Sequence, residues 1–171
     1  MKKNLIKKAV RIKIIMCDVD GVLTDGLIYL GDNSQELKAF HVRDGKGIVL
    51  AQKSGIKFAL ITGRSSELVA RRTKELGIED VFQNISKKLP VFKDLLKKYN
   101  LQSEEAAYIG DDINDYQVLK EAGLAFTVAD GVQEVREIAD YITDKKGGQG
   151  AVREIIELIL KARGVDRLVK I

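Results

Sequence analysis

The sequence predicts an α/β fold, a doubly wound, Rossmann-like parallel sheet flanked by helices, on two observations. Short apolar runs of strand length recur along the chain at 12–17, 57–61, 106–109 and 124–128, and helical patterns separate them. Runs that are nearly continuous in apolar residues suit strands buried on both faces, as in a parallel sheet covered by crossover helices. In such sheets ligands gather at the carboxyl ends of strands near a topological switch point, so the chemistry is expected just after each strand.

Each element has its own signal. The first run, Ile12 to Cys17, leads into a stretch that breaks the alternation. There, residues 26–30, a Gly31-Asp32-Asn33-Ser34 turn and residues 36–42 read as an inserted β-hairpin, 26–42, apolar on both faces. A helix is expected over 47–53 and a strand over 57–61. Ser65 and Gly77 then bracket a helix as cap and stop signal. Pro90 opens another helix, with Val91, Leu95 and Leu96 on one side and Lys93, Lys97 and Lys98 elsewhere. Strands at 106–109 and 124–128 flank a helix at 116–122. Gly147-Gly148-Gln149-Gly150 reads as a flexible lead into a last helix over 151–162.

With 171 residues, 45% of them hydrophobic, the chain has the size and core of one domain, 1–171. Lys and Arg number 29 against 25 Asp and Glu, a net +4. Part of that excess lies in the opening eight residues, which read as a solvated basic terminus. No basic stripe is interleaved with aromatics, so nucleic acid is not an expected partner. Arg11 and Lys13 interrupt the N-terminal apolar residues, so neither a signal peptide nor a membrane span is expected. The single cysteine, Cys17, excludes an intramolecular disulfide and suits a reducing cytoplasm.

Three segments carry candidate chemistry. Asp18-Val19-Asp20-Gly21 directly follows the first strand, an unusual place for two carboxylates, although Asp and Gly also build turns there. Gly110-Asp111-Asp112-Ile113-Asn114-Asp115 follows another strand and opens a helix. Capping accounts for Asn114 and Asp115 but does not require Asp111 and Asp112. Acidic clusters at two strand ends can converge to bind a hard cation through oxygen. Thr62-Gly63-Arg64 after the second run, 57–61, offers donors for an anion. Lys88, before a helix, is one of 29 basic residues and by itself reads as solvated.

Together, in this order and at these strand ends, the segments resemble the four motifs of haloacid dehalogenase-like phosphohydrolases. The resemblance implies Asp18 as nucleophile, Asp20 as general acid/base, and Thr62 and Lys88 as the phosphate-orienting pair. It also implies Mg²⁺ held by Asp18, Asp111 and the Asp20 main chain. An aspartate is ionised at neutral pH and can attack phosphorus to give an acyl phosphate, which fits the role. The segments after Asp20 and Thr62 are too short for a cap domain.

Over nearly the whole chain the sequence is similar to the capless 3-deoxy-D-manno-octulosonate 8-phosphate phosphatases, enzymes of lipopolysaccharide precursor synthesis. Residues 18–29, 36–45, 61–64 and 147–154 carry this likeness. It implies an acidic sugar phosphate substrate contacted by Asp20, His41, Val42, Arg43, Asp44, Gly45, Arg64, Arg72 and Lys88. It further implies a cytoplasmic homotetramer whose hairpins meet and whose neighbouring subunits shape each site, with residues 164–171 as a mobile tail. Val49 stands where some relatives place a substrate-contacting arginine, which leaves a related nine-carbon keto acid sugar phosphate as an alternative substrate. A non-catalytic phosphosugar-binding or oligomerising domain is the alternative of another class.

Overall fold

A computed structural model describes residues 3–32 and 35–165. Its centre is a six-stranded parallel sheet. The first strand, β1 (Ile14–Cys17), lies in the middle. On one side it pairs with β4 (Lys57–Ile61), which pairs with β5 (Asp80–Phe82); on the other lie β6 (Ala106–Ile109), β7 (Leu124–Thr127) and β8 (Tyr141–Ile142). In register, Ile14 faces Lys57 on one neighbour and Ala106 on the other.

Alternation along the strands divides the core in two. Ile15, Cys17, Phe58, Leu60, Ala107, Ile109 and Phe126 point to one face, under α1 (Lys3–Arg11), α2 (Val42–Lys53), α3 (Glu67–Glu75) and α7 (Ala151–Ala162). Ile14, Met16, Ala59, Ile61, Ala106 and Tyr108 point to the other, under α4 (Lys88–Tyr99), α5 (Tyr116–Glu121) and α6 (Gln133–Ile138). In α7, Ile155, Ile156, Ile159 and Leu160 are fully buried. Each contributes about 1.5–3 kcal/mol relative to exposure. The chain leaves β1 towards β4 on the first face and leaves β6 towards β7 on the second. The topological switch point is therefore the crevice between the carboxyl ends of β1 and β6.

The strands at 57–61 and 106–109 and the helix at 151–162 match the expectation residue for residue. Other boundaries move. Ile12 is buried but follows the end of α1, so the first strand begins at Ile14. The hairpin is shorter than 26–42: among the described residues only Tyr29–Leu30 (β2) and Glu36–Leu37 (β3) pair as strands, and Val42 already belongs to α2. That helix starts at Val42 rather than Gly47, because His41 accepts a hydrogen bond from the Arg43 N–H at 3.2 Å and caps it. Its interior glycines obscure the pattern, each costing about 1 kcal/mol of helix propensity. They are there for space: a Cβ at Gly45 would lie 2.3 Å from the Arg72 guanidinium. Ser66, not Ser65, is the residue before α3, and Lys88, not Pro90, opens α4.

Four elements carry no clear sequence signal. In α1 the lysines outnumber the buried Leu5 and Ala9, one turn apart, that dock the helix. The short β5, α6 and β8 offer too few residues for a period to register. Of the tail at 164–171, Val165 packs against the core, and 166–171 lie outside the described residues.

Candidate active site

Asp18 continues β1 by one residue, its N–H donating to the Ile109 carbonyl at 3.0 Å. Its side chain is buried at the switch point, with Oδ1 accepting from the Val19 N–H at 2.7 Å. The chain then coils back, the Leu23 and Thr24 N–H groups donating to the Val19 carbonyl at 2.9 and 3.1 Å. Gly21 permits this at φ +85°, and a Cβ there would lie 2.0 Å from Asp111 Oδ2, so only glycine fits.

Lys88 reaches this point from the first residue of α4. Its Nζ lies 2.5 Å from Asp18 Oδ2 and 2.7 Å from Asp115 Oδ1, with no side-chain exposure. Lys87 beside it is exposed, so burial selects between the two lysines. Burial acts to lower the Lys88 pKa, but the charges of Asp115 and Asp18 outweigh it, and the pKa ends above its ordinary value. Asp115 is the organiser of the group. Besides Lys88 it accepts from the Tyr108 hydroxyl at 2.6 Å and, through Oδ2, from the Asp111 N–H at 3.1 Å.

Asp18, Asp111 and Asp115 each bring a carboxylate oxygen within 4.8 Å of the others. Burial first, then the negative charge of Asp115, raises the Asp18 pKa to about 6. Burial followed by the charges of Asp18 and Asp115 raises Asp111 to about 8. Asp111 Oδ1 is buried without a hydrogen-bond partner. One lysine therefore leaves this carboxylate group under-neutralised, and a hard cation seated between Asp18 and Asp111 fits both the orphaned oxygen and the oxygen-only donor set. Asp115 is the most engaged of the three, its Oδ1 accepting from Lys88 and Tyr108 and its Oδ2 from the Asp111 and Asp112 N–H groups.

Asp20, Thr62 and Arg64 line the same open cavity, of about 230 Å³, together with Asp18, Asp111, Asp112 and Asn114. Thr62 is buried at the end of β4, its hydroxyl accepting from the Arg64 N–H at 3.5 Å. Asp20 pairs through Oδ1 with Lys38, and Oδ2 lies 3.9 Å from Arg64 Nε.

The remaining expected residues lie apart from this cavity. His41, Asp44, Gly45 and Arg72 line a narrow hollow beside Leu23 and Ile48, and Val42 and Arg72 border a groove with Lys38 and Phe40. Arg43 is exposed on the first turn of α2. Both oxygens of Asp44 are taken by the N–H groups of Gly150 at 3.2 Å and Arg153 at 2.7 Å, so this buried carboxylate joins the start of α2 to the start of α7. Burial raises its pKa, and the Arg153 N–H opposes the rise.

Two residues that hold side chains of the site, Asp115 on Lys88 and Lys38 on Asp20, carried no assigned role in the sequence. Asp115 reads as a helix cap, and only the fold reveals that it is fully buried against Lys88. Lys38 lies in the hairpin among other charged residues. The Gly147–Gly150 segment, expected to be a flexible lead, instead packs tightly: a Cβ at Gly147 would lie 1.8 Å from the Gly21 carbonyl oxygen, and the Gly148 N–H donates to the Val22 carbonyl at 3.0 Å.

The sequence profile of haloacid dehalogenase-like hydrolases matches residues 80–156. The 3-deoxy-D-manno-octulosonate 8-phosphate phosphatase KdsC of Escherichia coli K12 is 49% identical over 161 residues, 94% of this chain and 86% of that protein. Among solved structures, the 3-deoxy-D-manno-octulosonate 8-phosphate phosphatase of Moraxella catarrhalis, crystallised with magnesium ion, phosphate ion and KDO, superposes with a TM-score of 0.94 at 46% identity, covering 96% of this chain and 94% of that one. The cobalt-bound phosphatase of Haemophilus influenzae superposes with a TM-score of 0.89 at 39% identity, covering 92% of each chain. With Asp18 at the switch point, Lys88 buried against it and paired acidic strand ends in the same fold, the chain belongs to the 3-deoxy-D-manno-octulosonate 8-phosphate phosphatase family of haloacid dehalogenase-like hydrolases.

Proposed function

We propose that this chain is a Mg²⁺-dependent phosphomonoesterase that releases phosphate from 3-deoxy-D-manno-octulosonate 8-phosphate through an aspartyl-phosphate on Asp18. The observation that carries the reading is the Asp18 carboxylate, fixed at the switch point by Lys88 at 2.5 Å and with an oxygen within 4.8 Å of one on Asp111. Asp18 attacks phosphorus as the bond to the sugar oxygen breaks, and Asp20 gives that oxygen its proton. Asp20 then takes a proton from the water that attacks the phosphorus of the aspartyl-phosphate, which restores Asp18. Lys88 and the Thr62 hydroxyl hold the phosphate oxygens. Mg²⁺, bound by Asp18, Asp111 and the Asp20 carbonyl, would neutralise charge that otherwise sets a carboxylate against a phosphate dianion.

In this reading His41, Val42, Arg43, Gly45, Arg64 and Arg72 recognise the sugar acid, with Asp44 anchoring the turn they occupy. Guanidinium groups suit its carboxylate. These residues approach the substrate in a homotetramer, where a neighbouring subunit completes each site. Support comes from the hairpin: Leu27, Ile28, Tyr29, Leu30 and Leu37 are all exposed, a contiguous apolar surface of the kind that interfaces cover. The chain acts as a single domain, without a cap, in the cytoplasm, supplying a lipopolysaccharide precursor. No described helix is long and apolar enough to cross a membrane.

The test is phosphate release from 3-deoxy-D-manno-octulosonate 8-phosphate with Mg²⁺, against the nine-carbon analogue and hexose phosphates, with Asp18→Asn alongside. Selective, metal-dependent release lost in the variant is expected. Preference for the nine-carbon substrate would reassign the sugar. Absence of release from any phosphate would make the chain a binding domain.

A further inference from the structure

The acid that protonates the leaving oxygen must be aimed, and Asp20 sits on a loop after β1, its side chain 24% exposed. Among the described residues, one side chain donates a hydrogen bond to it: Lys38, whose Nζ pairs with Oδ1. Lys38 directly follows β3, where the exposed Leu37 points away and Glu36 and Lys38 share the opposite side. Its side chain is only 2% exposed. Glu36 sits beside it, 3.8 Å from Nζ, and also accepts from Arg64 Nη2 at 3.0 Å. Two carboxylates and two cations thus close a ring at the cavity mouth, built from the β1 loop, the hairpin and the β4 end.

We propose that Lys38 is a positioning residue for Asp20 and that through it the hairpin sets the general acid in place. The proposal rests on the reading of Asp20 as that acid. A buried ammonium whose stem is already immobilised fixes its partner far better than an exposed lysine, which loses rotamer freedom on pairing. By occupying Oδ1, Lys38 leaves Oδ2 as the oxygen that carries the proton to the sugar alkoxide. As the Asp18 oxygen–phosphorus bond forms and the phosphorus–sugar oxygen bond breaks, that proton passes from Asp20 Oδ2 to the sugar oxygen.

The chemistry supplies a readout that a folding defect cannot imitate, and a fall in the single-turnover rate at saturating sugar phosphate, rather than in KM alone, separates it from lost recognition of the sugar acid. A sugar alkoxide needs the proton in order to leave; 4-nitrophenolate leaves without it. The comparison uses kcat/KM, which reports events up to departure of the leaving group and excludes the later hydrolysis of the aspartyl-phosphate. For Lys38→Met, kcat/KM on 3-deoxy-D-manno-octulosonate 8-phosphate should fall roughly 10- to 100-fold, within the range of general-acid contributions. On 4-nitrophenyl phosphate it should fall less than about threefold, and Lys38→Arg should recover most of the loss. Lys38→Gln, which keeps a donor of similar length, serves as the second variant should the Met protein fold poorly.

Equal losses on the two substrates would reduce Lys38 to a structural support and overturn the proposal, as would no loss on either. Asp20→Asn separates the underlying reading: if that variant spares the sugar phosphate, Asp20 is not the acid. If Asp20→Asn selectively disables the sugar phosphate while Lys38→Met does not, only the role of Lys38 fails.

Discussion

Asp115 offers the sharpest stability test, because removing its carboxylate perturbs four groups at once. Asp115→Ala takes from Lys88 its 2.7 Å partner, and it orphans the buried Tyr108 hydroxyl and the Asp111 N–H. Breaking a buried ion pair costs about 3–5 kcal/mol, and each orphaned polar group about 1–3 kcal/mol more. Against this, Asp18 and Asp111 are relieved of a negative neighbour that raises both their pKa values. The two effects partly cancel, leaving a net loss of about 3–5 kcal/mol. For a domain of this size that is a fall in Tm of about 6–20 °C. Asp115→Asn keeps the volume and an acceptor oxygen but not the charge, and should lose about half as much. Urea unfolding followed by circular dichroism measures both. An Ala variant within about 1 kcal/mol of the parent would mean that Lys88 is satisfied by Asp18 alone, and the role given to Asp115 would fall.

Other expectations follow from the same geometry. The carboxyls of Asp18 and Asp111 have folded pKa values raised from 3.8 to about 6 and about 8, so their stabilising, protonated forms are lost as pH rises through that window. Mg²⁺ favours the ionised forms, so its effect on Tm should be larger at about pH 8 than at about pH 6; equal shifts would show that the ion binds elsewhere. Gly147→Ala forces a Cβ to 1.8 Å from the Gly21 carbonyl oxygen and should cost about 1–3 kcal/mol or more, with activity lost alongside. An unchanged Tm and rate would refute the tight packing. Leu30→Glu places a charge on a residue 78% exposed in the hairpin and should reduce a tetramer to smaller species in sedimentation without lowering monomer stability.

The strand ends that meet at the candidate site were legible because they depend on local pattern. Asp18 follows an apolar run, and Asp111 and Thr62 follow others whose bounds the structure reproduces. What stayed hidden depends on non-local packing. Nothing about Asp115 distinguishes it from a capping aspartate until Lys88, 27 positions away, is seen buried against it. Asp44 reads as a substrate contact, and only α7, 109 positions later, shows where its oxygens go. The start of α2 was missed because Gly45 and Gly47 lower helix propensity for a reason located on other helices, at Arg72 and Arg153.

The seating of the loop after Asp18 on Gly147 and Gly148 has a consequence for synthesis on the ribosome. The residues to which the proposed function assigns the attack are made early, yet the surface that braces their loop arrives only as the chain nears α7. A nascent chain that has emerged as far as α6 carries Asp18, Asp20, Thr62, Lys88 and Asp111 without that brace. The proposed active site thus lacks this support until the segment before α7 has been made, and α7 then completes the cover that α1, α2 and α3 give the first face of the sheet.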